Sequence, residues 1–242
     1  MVEKFSDKDL EKIETKNSVE ILKWTIEKHH PRIALASSFG AEDIVVIDQM
    51  LKINPEARIF TLDTGRLHQE TYDAMDAVRK KYGINIKVFF PETGTVEEMV
   101  KKHGLNLFYN RVELRCLCCD VRKVEPLNRA ISNLDAWITG LRREQFSTRT
   151  SISKVAIDHA HGGILKINPL ADWTWDMVLR YVKDNKLPYN RLHDLGYPSI
   201  GCAPCTRPVK PGEDWRAGRW WWEKGDAKEC GLHHRVEGDK SG

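Results

Sequence analysis

The chain has 242 residues, 41% of them hydrophobic, with a formal net charge of +3 and a pI of about 8.5. That length supports one sizeable core and leaves too few residues for two full domains. The small basic excess lacks the clustered charge of a nucleic-acid binder and suits an anionic small substrate. Residues 1–16 are charged throughout, with no apolar h-region, and no run of about 18 apolar residues follows. Neither a secretory signal nor a membrane span is expected, which predicts a cytoplasmic protein. Six cysteines in such a chain point to metal or redox chemistry rather than structural disulfides.

Residues 7–30 carry Leu10, Ile13, Val19, Leu22 and Ile26 near helical spacing and predict one helix. After Pro31, residues 32–36 form a short apolar strand running into Ser37-Ser38-Phe39-Gly40, and residues 42–51 return to helical spacing. A second unit repeats the pattern, with a strand over 58–62, a turn at Asp63-Thr64-Gly65, and a helix over 67–82 that Gly83 ends. A strand over 84–90, a helix over 95–103 and a strand over 136–139 complete the series. Strands alternating with helices predict an α/β fold, a parallel sheet with helices on both faces. Ligands of such sheets bind at the carboxyl ends of the strands, where each glycine-bearing turn falls.

Beyond residue 206 the chain is interrupted by Pro208, Pro211, Gly212, Gly218 and Gly225, and four of the eight tryptophans fall between 215 and 222. The division expected is a single α/β domain over 1–206 and a flexible C-terminal lid or tail over 207–242.

Ser37-Ser38-Phe39-Gly40-Ala41-Glu42-Asp43 can offer backbone N–H groups, hydroxyls and a helix N-terminus to an anion. It is not a Walker A loop, since no Gly-Lys-Ser/Thr follows. Asp63-Thr64-Gly65-Arg66 and Thr139-Gly140-Leu141-Arg142-Arg143-Glu144-Gln145 close two further strands. Two of these three turns are followed by arginine, whose fork donates two parallel hydrogen bonds to phosphate or sulfate. The alternative for Arg142 and Arg143 is a solvated surface.

Cys116, Cys118 and Cys119 lie together, and Cys202-Ala203-Pro204-Cys205 forms a second group. Two such groups can supply four thiolates to one centre. Cys116-x-x-Cys119 with Cys202-x-x-Cys205 fits a zinc site, and the same thiolates suit an iron–sulfur cluster. Spacing leaves the metal open. Cys230 stands apart in Lys228-Glu229-Cys230-Gly231-Leu232-His233-His234, among cations that lower a thiol pKa. Arg207, Arg216 and Arg219 beside Trp215 and Trp220-Trp221-Trp222 suit a lid closing on an anion, or tryptophans docked on the core.

Six motifs in order, over roughly residues 30–234, resemble the assimilatory adenylyl-sulfate reductases, which are related to phosphoadenylyl-sulfate reductases. They are the serine loop 37–43, Leu62-Asp63-Thr64-Gly65-Arg66, Cys118-Cys119-Asp120-Val121-Arg122-Lys123, the Thr139–Gln145 segment, Cys202-Ala203-Pro204-Cys205-Thr206-Arg207, and Glu229-Cys230-Gly231-Leu232-His233. The resemblance implies an adenine-nucleotide α-hydrolase-like fold. It implies one [4Fe–4S] cluster held by Cys118, Cys119, Cys202 and Cys205, with Cys116 a spare thiol. It implies Cys230 as the nucleophile, thioredoxin or a similar redoxin as the reductant, and Lys123, Arg216, Arg219 and His233 as the residues that hold the phosphosulfate. Ser37, Ser38, Gly40, Leu62, Gly65, Arg66, Gly140, Arg142 and Arg143 would form the nucleotide-binding walls. The serine loop departs from the Ser-Gly-Gly-x-Asp-Ser pattern of ATP pyrophosphatases, which counts against nucleotidyl transfer. The remaining alternatives are phosphoadenylyl sulfate as substrate and a zinc-stabilised binding module; partners other than substrate and redoxin are not implied, and self-association as a homo-oligomer stays open.

Overall fold

The computed structural model describes residues 7–146 and 149–223. Two helices open the chain, α1 (Asp7–Glu14) and α2 (Ser18–His29). The single helix expected over 7–30 is broken because Asn17 caps α2. Asn17 Oδ1 accepts from Glu20 N at 3.0 Å and Glu20 Oε2 accepts from Asn17 N at 2.9 Å, a capping box that satisfies two otherwise orphaned donors.

The chain then alternates as the apolar pattern requires: β1 (Ile33–Ala36), α3 (Ala41–Ile53), β2 (Arg58–Leu62), α4 (Gln69–Tyr82), β3 (Lys87–Phe89) and α5 (Thr93–His103). Next come α6 (Val112–Cys119), α7 (Glu125–Ile131), β4 (Ala136–Ile138), β5 (Val155–Asp158), β6 (Ile164–Ile167) and α8 (Trp175–Asp184). The sheet order is β3-β2-β1-β4-β6-β5. Every neighbouring pair is parallel except β5, which runs antiparallel to β6 at the edge. The sheet is therefore mostly, not wholly, parallel.

Alternation along the strands sends side chains to two apolar layers. Ile33 and Leu35 of β1, Ala136 and Ile138 of β4, and Leu165 and Ile167 of β6 join one layer with residues of α2, α3, α4 and α8. Ala34, Phe60 and Trp137 point the other way, onto Leu127 and Ile131 of α7. Helices thus cover both faces. On the larger face Asp48 of α3 accepts from Tyr82 Oη at 2.8 Å, Tyr181 Oη at 2.7 Å and Lys52 Nζ at 2.7 Å, tying α3 to α4 and α8. Burial opposes ionisation of Asp48, but these three donors outweigh it and hold the carboxyl below its ordinary value.

From β1 the chain moves outward through β2 and β3, then returns to place β4 on the other side of β1. The reversal of order between β1 and β4 creates a crevice at their carboxyl ends. Residues 207–223 pack back onto this body. Thr206 and Arg219 form an antiparallel bridge, Arg207 N donates to Gly218 O at 3.0 Å, and Trp220 is buried. Among the described residues no helix is long and apolar enough to cross a membrane.

Candidate active site

A cavity of about 230 Å³ opens at the carboxyl ends of β1, β2 and β4. Its floor is the loop that leaves β1. Phe39 takes a positive φ of 58°, strained for a residue with a Cβ, and its ring is fully buried. Three hydrogen bonds hold the loop in this shape. Ser37 Oγ accepts from Phe39 N at 3.1 Å, and Asp43 Oδ2 accepts from Ser38 N and Ser38 Oγ at 2.5 and 2.8 Å.

Gly40 begins α3 and has no side chain to cap it. The Ala41 N–H is instead received by His193 Nε2 at 3.2 Å, while His193 Nδ1 donates to Tyr197 O at 2.9 Å. These partners define the neutral tautomer, and burial lowers the pKa of the ring in the same direction. Burial also pushes the Asp43 carboxyl from 3.8 up to about 6, with Glu42 adding to the rise and the Ser38 bonds opposing it. Gly140, just past β4, lies against this turn. A Cβ there would overlap Asp43 Oδ1, closer than real Cβ contacts come.

Three cations from elsewhere complete the wall. Arg216 and Arg219 line the cavity although each is only 6% exposed, and Lys123 joins them. The Arg219 guanidinium lies 4.6 Å from the Trp220 ring centre, and that of Arg216 lies 5.1 Å from the Phe146 ring. Arg219 is only weakly held by protein, with Nη1 at 3.4 Å from both Ser199 Oγ and Ile200 O. Its Nε has no hydrogen-bond partner among the described residues. Gly201 leaves room for this guanidinium, since a Cβ at that position would overlap it. A buried guanidinium as weakly held as that of Arg219 suits an anion.

Of the residues singled out in the sequence, Ser37, Ser38, Gly40, Leu62, Lys123, Gly140, Arg216 and Arg219 line one cavity. Gly65, Arg66, Arg142 and Arg143 do not line it. Gly65 has a φ of +70° and donates to Asp63 Oδ1 at 2.8 Å, shaping the turn after β2. Arg66 donates to Leu105 O at 2.8 Å and stacks 5.1 Å over Phe108. Arg142 is fully buried, donating to Glu42 Oε1 at 3.0 Å and Glu144 Oε2 at 2.7 Å. Arg143 binds Ile152 O at 2.8 Å and pairs with Glu14. Cys230 and His233 lie outside the described residues. His193, Trp137 and Arg149 also line the cavity and were not picked out. The motifs stop short of Arg149, and neither His193 nor Trp137 carries a spacing that sets it apart from a core residue.

The cysteines meet beside this cavity. Helix α6 runs through a π-helical stretch, Asp120–Val124, into α7, and Arg122 Nη1 pins that stretch to Thr64 O at 2.6 Å. Cys118 and Cys205 are buried in one apolar cluster with Met99, Leu107, Phe108, Leu114 and Trp220, and Cys119 and Cys202 pack against it. Cys202 Sγ lies 3.3 Å from Thr64 Oγ1. The turn Ala203–Cys205 is held to the β2 loop by Ala203 N donating to Arg66 O at 2.8 Å. Burial pushes the Cys205 thiol up to about 12 and raises Cys118 as well; Cys202 adds to both, while Arg122 and Arg66 oppose the rise at Cys118 and Arg219 and Lys123 oppose it at Cys205. Among the described residues no three His, Cys, Asp or Glu side chains converge to hold a single ion. Four soft donors grouped in an apolar pocket, with cations near, fit a polynuclear centre whose metals each take one thiolate. Cys116, half-buried on α6, is not part of the apolar cluster.

The Gly140→Ala substitution is expected to abolish AMP binding measured by calorimetry, while Gly94→Ala, where a Cβ meets nothing within 4 Å, leaves it unchanged. Asp43 is expected to titrate near pH 6 rather than 3.8 when followed by carboxyl-carbon NMR. The folded chain then binds more protons than the unfolded chain between those values. The contribution of Asp43 to stability therefore falls as pH rises from 3.8 to about 6 and is flat above.

Residues 32–208 match the phosphoadenosine phosphosulfate reductase domain family. The chain is 52% identical over 208 residues to an adenosine 5'-phosphosulfate reductase of Burkholderia cepacia, covering 86% of this chain and 83% of that one. It is 49% identical over 203 residues to an adenosine 5'-phosphosulfate reductase of Allochromatium vinosum, covering 84% and 79%. Among solved structures it is similar to a phosphoadenylyl-sulfate reductase from Candida auris in a phosphate complex, with a TM-score of 0.73, 28% identity, and coverage of 86% of this chain and 100% of that one. An FMN adenylyltransferase of Candida glabrata in complex with ATP shares the fold alone, with a TM-score of 0.56 at 11% identity, covering 88% and 71%. The family match over most of the chain and the extended identity to these reductases settle its kinship: the chain belongs to the phosphoadenosine phosphosulfate reductase family.

Proposed function

We propose that the chain reduces adenylyl sulfate to sulfite and AMP in sulfate assimilation, with Cys230 as nucleophile and a separate redoxin of the thioredoxin kind as reductant. The observation that carries this reading is the placement of Arg216, Arg219 and Lys123 in the nucleotide cavity, directly beside the four-thiol pocket. A phosphosulfate anhydride is a compact polyanion, and two buried forks with a lysine offset its charge where water is excluded.

The Cys230 thiolate attacks the sulfur of adenylyl sulfate. The S–O bond to the phosphate breaks, AMP leaves with that electron pair, and the enzyme carries an S-sulfo group. The cations stabilise the charge that gathers on the departing phosphate. A redoxin thiolate then attacks Cys230 Sγ, and sulfite leaves with the S–S electron pair. The second redoxin thiol resolves the mixed disulfide and returns Cys230 to the thiol. Thiols that must stay reduced suit the cytoplasm.

Cys118, Cys119, Cys202 and Cys205 would hold the [4Fe–4S] cluster. When bound it would join the end of α6 to the 202–205 turn and add charge near the substrate. The protein residues do the rest of the work. Thr64 Oγ1 orients Cys202, Arg122 fixes the π-helical stretch, and Lys123, on that stretch, is thereby aimed at the cavity.

Glu42 and Asp43 favour the nucleotide without a ribose phosphate. Both line the cavity, and Arg142 and Arg143 are already held by Glu42, Glu144 and Glu14. A further phosphate would bring negative charge toward carboxylates with those two guanidinium groups spent.

Cys230→Ser is expected to abolish sulfite release while AMP binding is retained; turnover in that variant removes Cys230 from the mechanism. Cys202→Ser is expected to lose iron and activity together, and a full iron count in it removes Cys202 from the ligand set. On the intact enzyme kcat/KM should be higher for adenylyl sulfate than for phosphoadenylyl sulfate by roughly tenfold or more. The reverse order would assign the phosphorylated nucleotide as substrate.

A further inference from the structure

The edge strand β5 ends on Asp158, whose carboxylate meets the apolar layer on the α7 face. Asp158 Oδ2 accepts from Trp137 Nε1 at 3.0 Å and from His161 Nδ1 at 2.9 Å, and the Asp158 and His161 side chains are 8% and 6% exposed. Burial opposes ionisation of Asp158, but the bonds from His161 and Trp137 and the charge of Lys166 outweigh it and hold the carboxyl below its ordinary value. An ionised carboxylate is an acceptor, so the proton of the second bond sits on His161 Nδ1. Gly163 N donates to Asp158 O at 2.9 Å, closing the turn His159–His161 and bringing His161 edge-on to the indole, with ring centres 5.5 Å apart. Lys166, the register partner of Trp137 on β6, has its Nζ 4.8 Å from the same ring centre. Three polar side chains thus converge on one indole, in a layer otherwise built of Ala34, Phe60, Leu127, Ile131 and Leu134. A buried polar network of this kind fixes geometry more than it adds stability.

The indole borders the nucleotide cavity. Trp137 and Thr139 line the cavity and Ile138 between them does not, so the cavity meets the face of β4 on which the indole lies. At 1% exposure Trp137 is a floor rather than a stacking surface. With Ala36, Phe60, Leu62 and Leu127 it makes the apolar part of the wall, while Lys123, Arg216 and Arg219 bring positive charge. The anionic groups of a nucleotide pair with those cations, which leaves the apolar part to its base. Ribose is joined to the five-membered ring of a purine, so the far edge of the six-membered ring reaches deepest. Neither Asp158 nor His161 lines the cavity.

We propose that Asp158 and His161 are positioning residues that lock the Trp137 indole as the floor of the apolar part, and so set the size of base the cavity accepts. This rests on the reading of the cavity as an adenine-nucleotide site. It gives the β5–β6 hairpin, which lies outside the cavity, a part in choosing the nucleotide.

The test compares AMP with its etheno derivative, which carries an extra ring fused to the far edge of the base, as ligands of the holoenzyme in calorimetry. Wild-type enzyme should prefer AMP. Trp137→Phe lowers the floor and should cut that preference about tenfold. His161→Leu keeps the indole but removes one of the groups that hold it, and should cut the preference about threefold. Ribose 5-phosphate, which lacks the base, should bind wild type and both variants alike. A preference unchanged in both variants overturns the proposal, as does wild-type enzyme that binds AMP and its etheno derivative equally. Equal weakening of all three ligands also overturns it, because it marks a merely structural role. If Trp137→Phe does not fold, His161→Leu decides alone, and a wild-type preference there overturns the proposal. Wild-type enzyme that binds no AMP removes the nucleotide reading and this inference with it, whereas a wild-type preference for AMP with unaffected variants removes this inference only.

Discussion

The approach of Gly140 to Asp43 is the contact on which the rest of the site depends. It brings the turn after β4 within van der Waals distance of the first turn of α3, with no room for a Cβ between them. Asp43 is buried, which raises its pKa, while it receives the N–H and the hydroxyl of Ser38 and a backbone hydrogen bond from Gly140 that oppose the rise. That carboxyl group and the Ser37 hydroxyl together shape the serine loop. The positive φ of Phe39 is tolerated because the ring is fully buried and the loop is bonded on both sides of it. His193 supplies the helix cap that Gly40 lacks. A cavity wall of small residues and polarised N–H groups is the result, at the place where the strand order reverses.

Charge is partitioned around this cavity. Arg142 and Arg143 are spent on Glu42, Glu144 and Glu14, where they fasten the β4 turn to α3 and to the N-terminal helix. Arg216 and Arg219 arrive from the far end of the chain and are buried against aromatic rings, and Arg219 is held by protein only at 3.4 Å. In the function proposed, the same residue type serves as scaffold in one place and as anion receptor in another, and the partner carboxylates decide which. The thiol pocket adjoins the receptor end, with Arg219 and Lys123 close enough to Cys205 to lower its pKa against burial.

Much of this was legible in the sequence. The two strand–turn–helix units from β1 to α4 follow from apolar periodicity punctuated by glycine, and their loops fall at one sheet edge because parallel strands require it. The break at Asn17 was signalled by Asn17 and Glu20 at capping-box spacing, but the apolar periodicity runs through it. β5 and β6 are four residues each and enclose Gly162 and Gly163, too short for a period-2 pattern to stand out. The pairing of Arg142 and Arg143 was invisible, because Glu42 and Glu14 are about a hundred residues away or more. Spacing alone offered Cys116 and Cys119 with Cys202 and Cys205, and the set with Cys118 in place of Cys116 came from the family resemblance, whereas the thiol-to-Thr64 contact and the π-helical stretch that carries Lys123 needed the fold.

The central claim is that one thiol takes the sulfuryl group from a nucleotide held by this cavity. The most direct measurement is intact-protein mass spectrometry of anaerobically purified enzyme mixed with adenylyl sulfate and no redoxin. The account predicts a gain of one SO₃ unit, mapped to Cys230 and removed by reduced thioredoxin with release of sulfite. An unchanged mass with the thiol pocket fully loaded with iron, or an adduct mapped to any other cysteine, would contradict it.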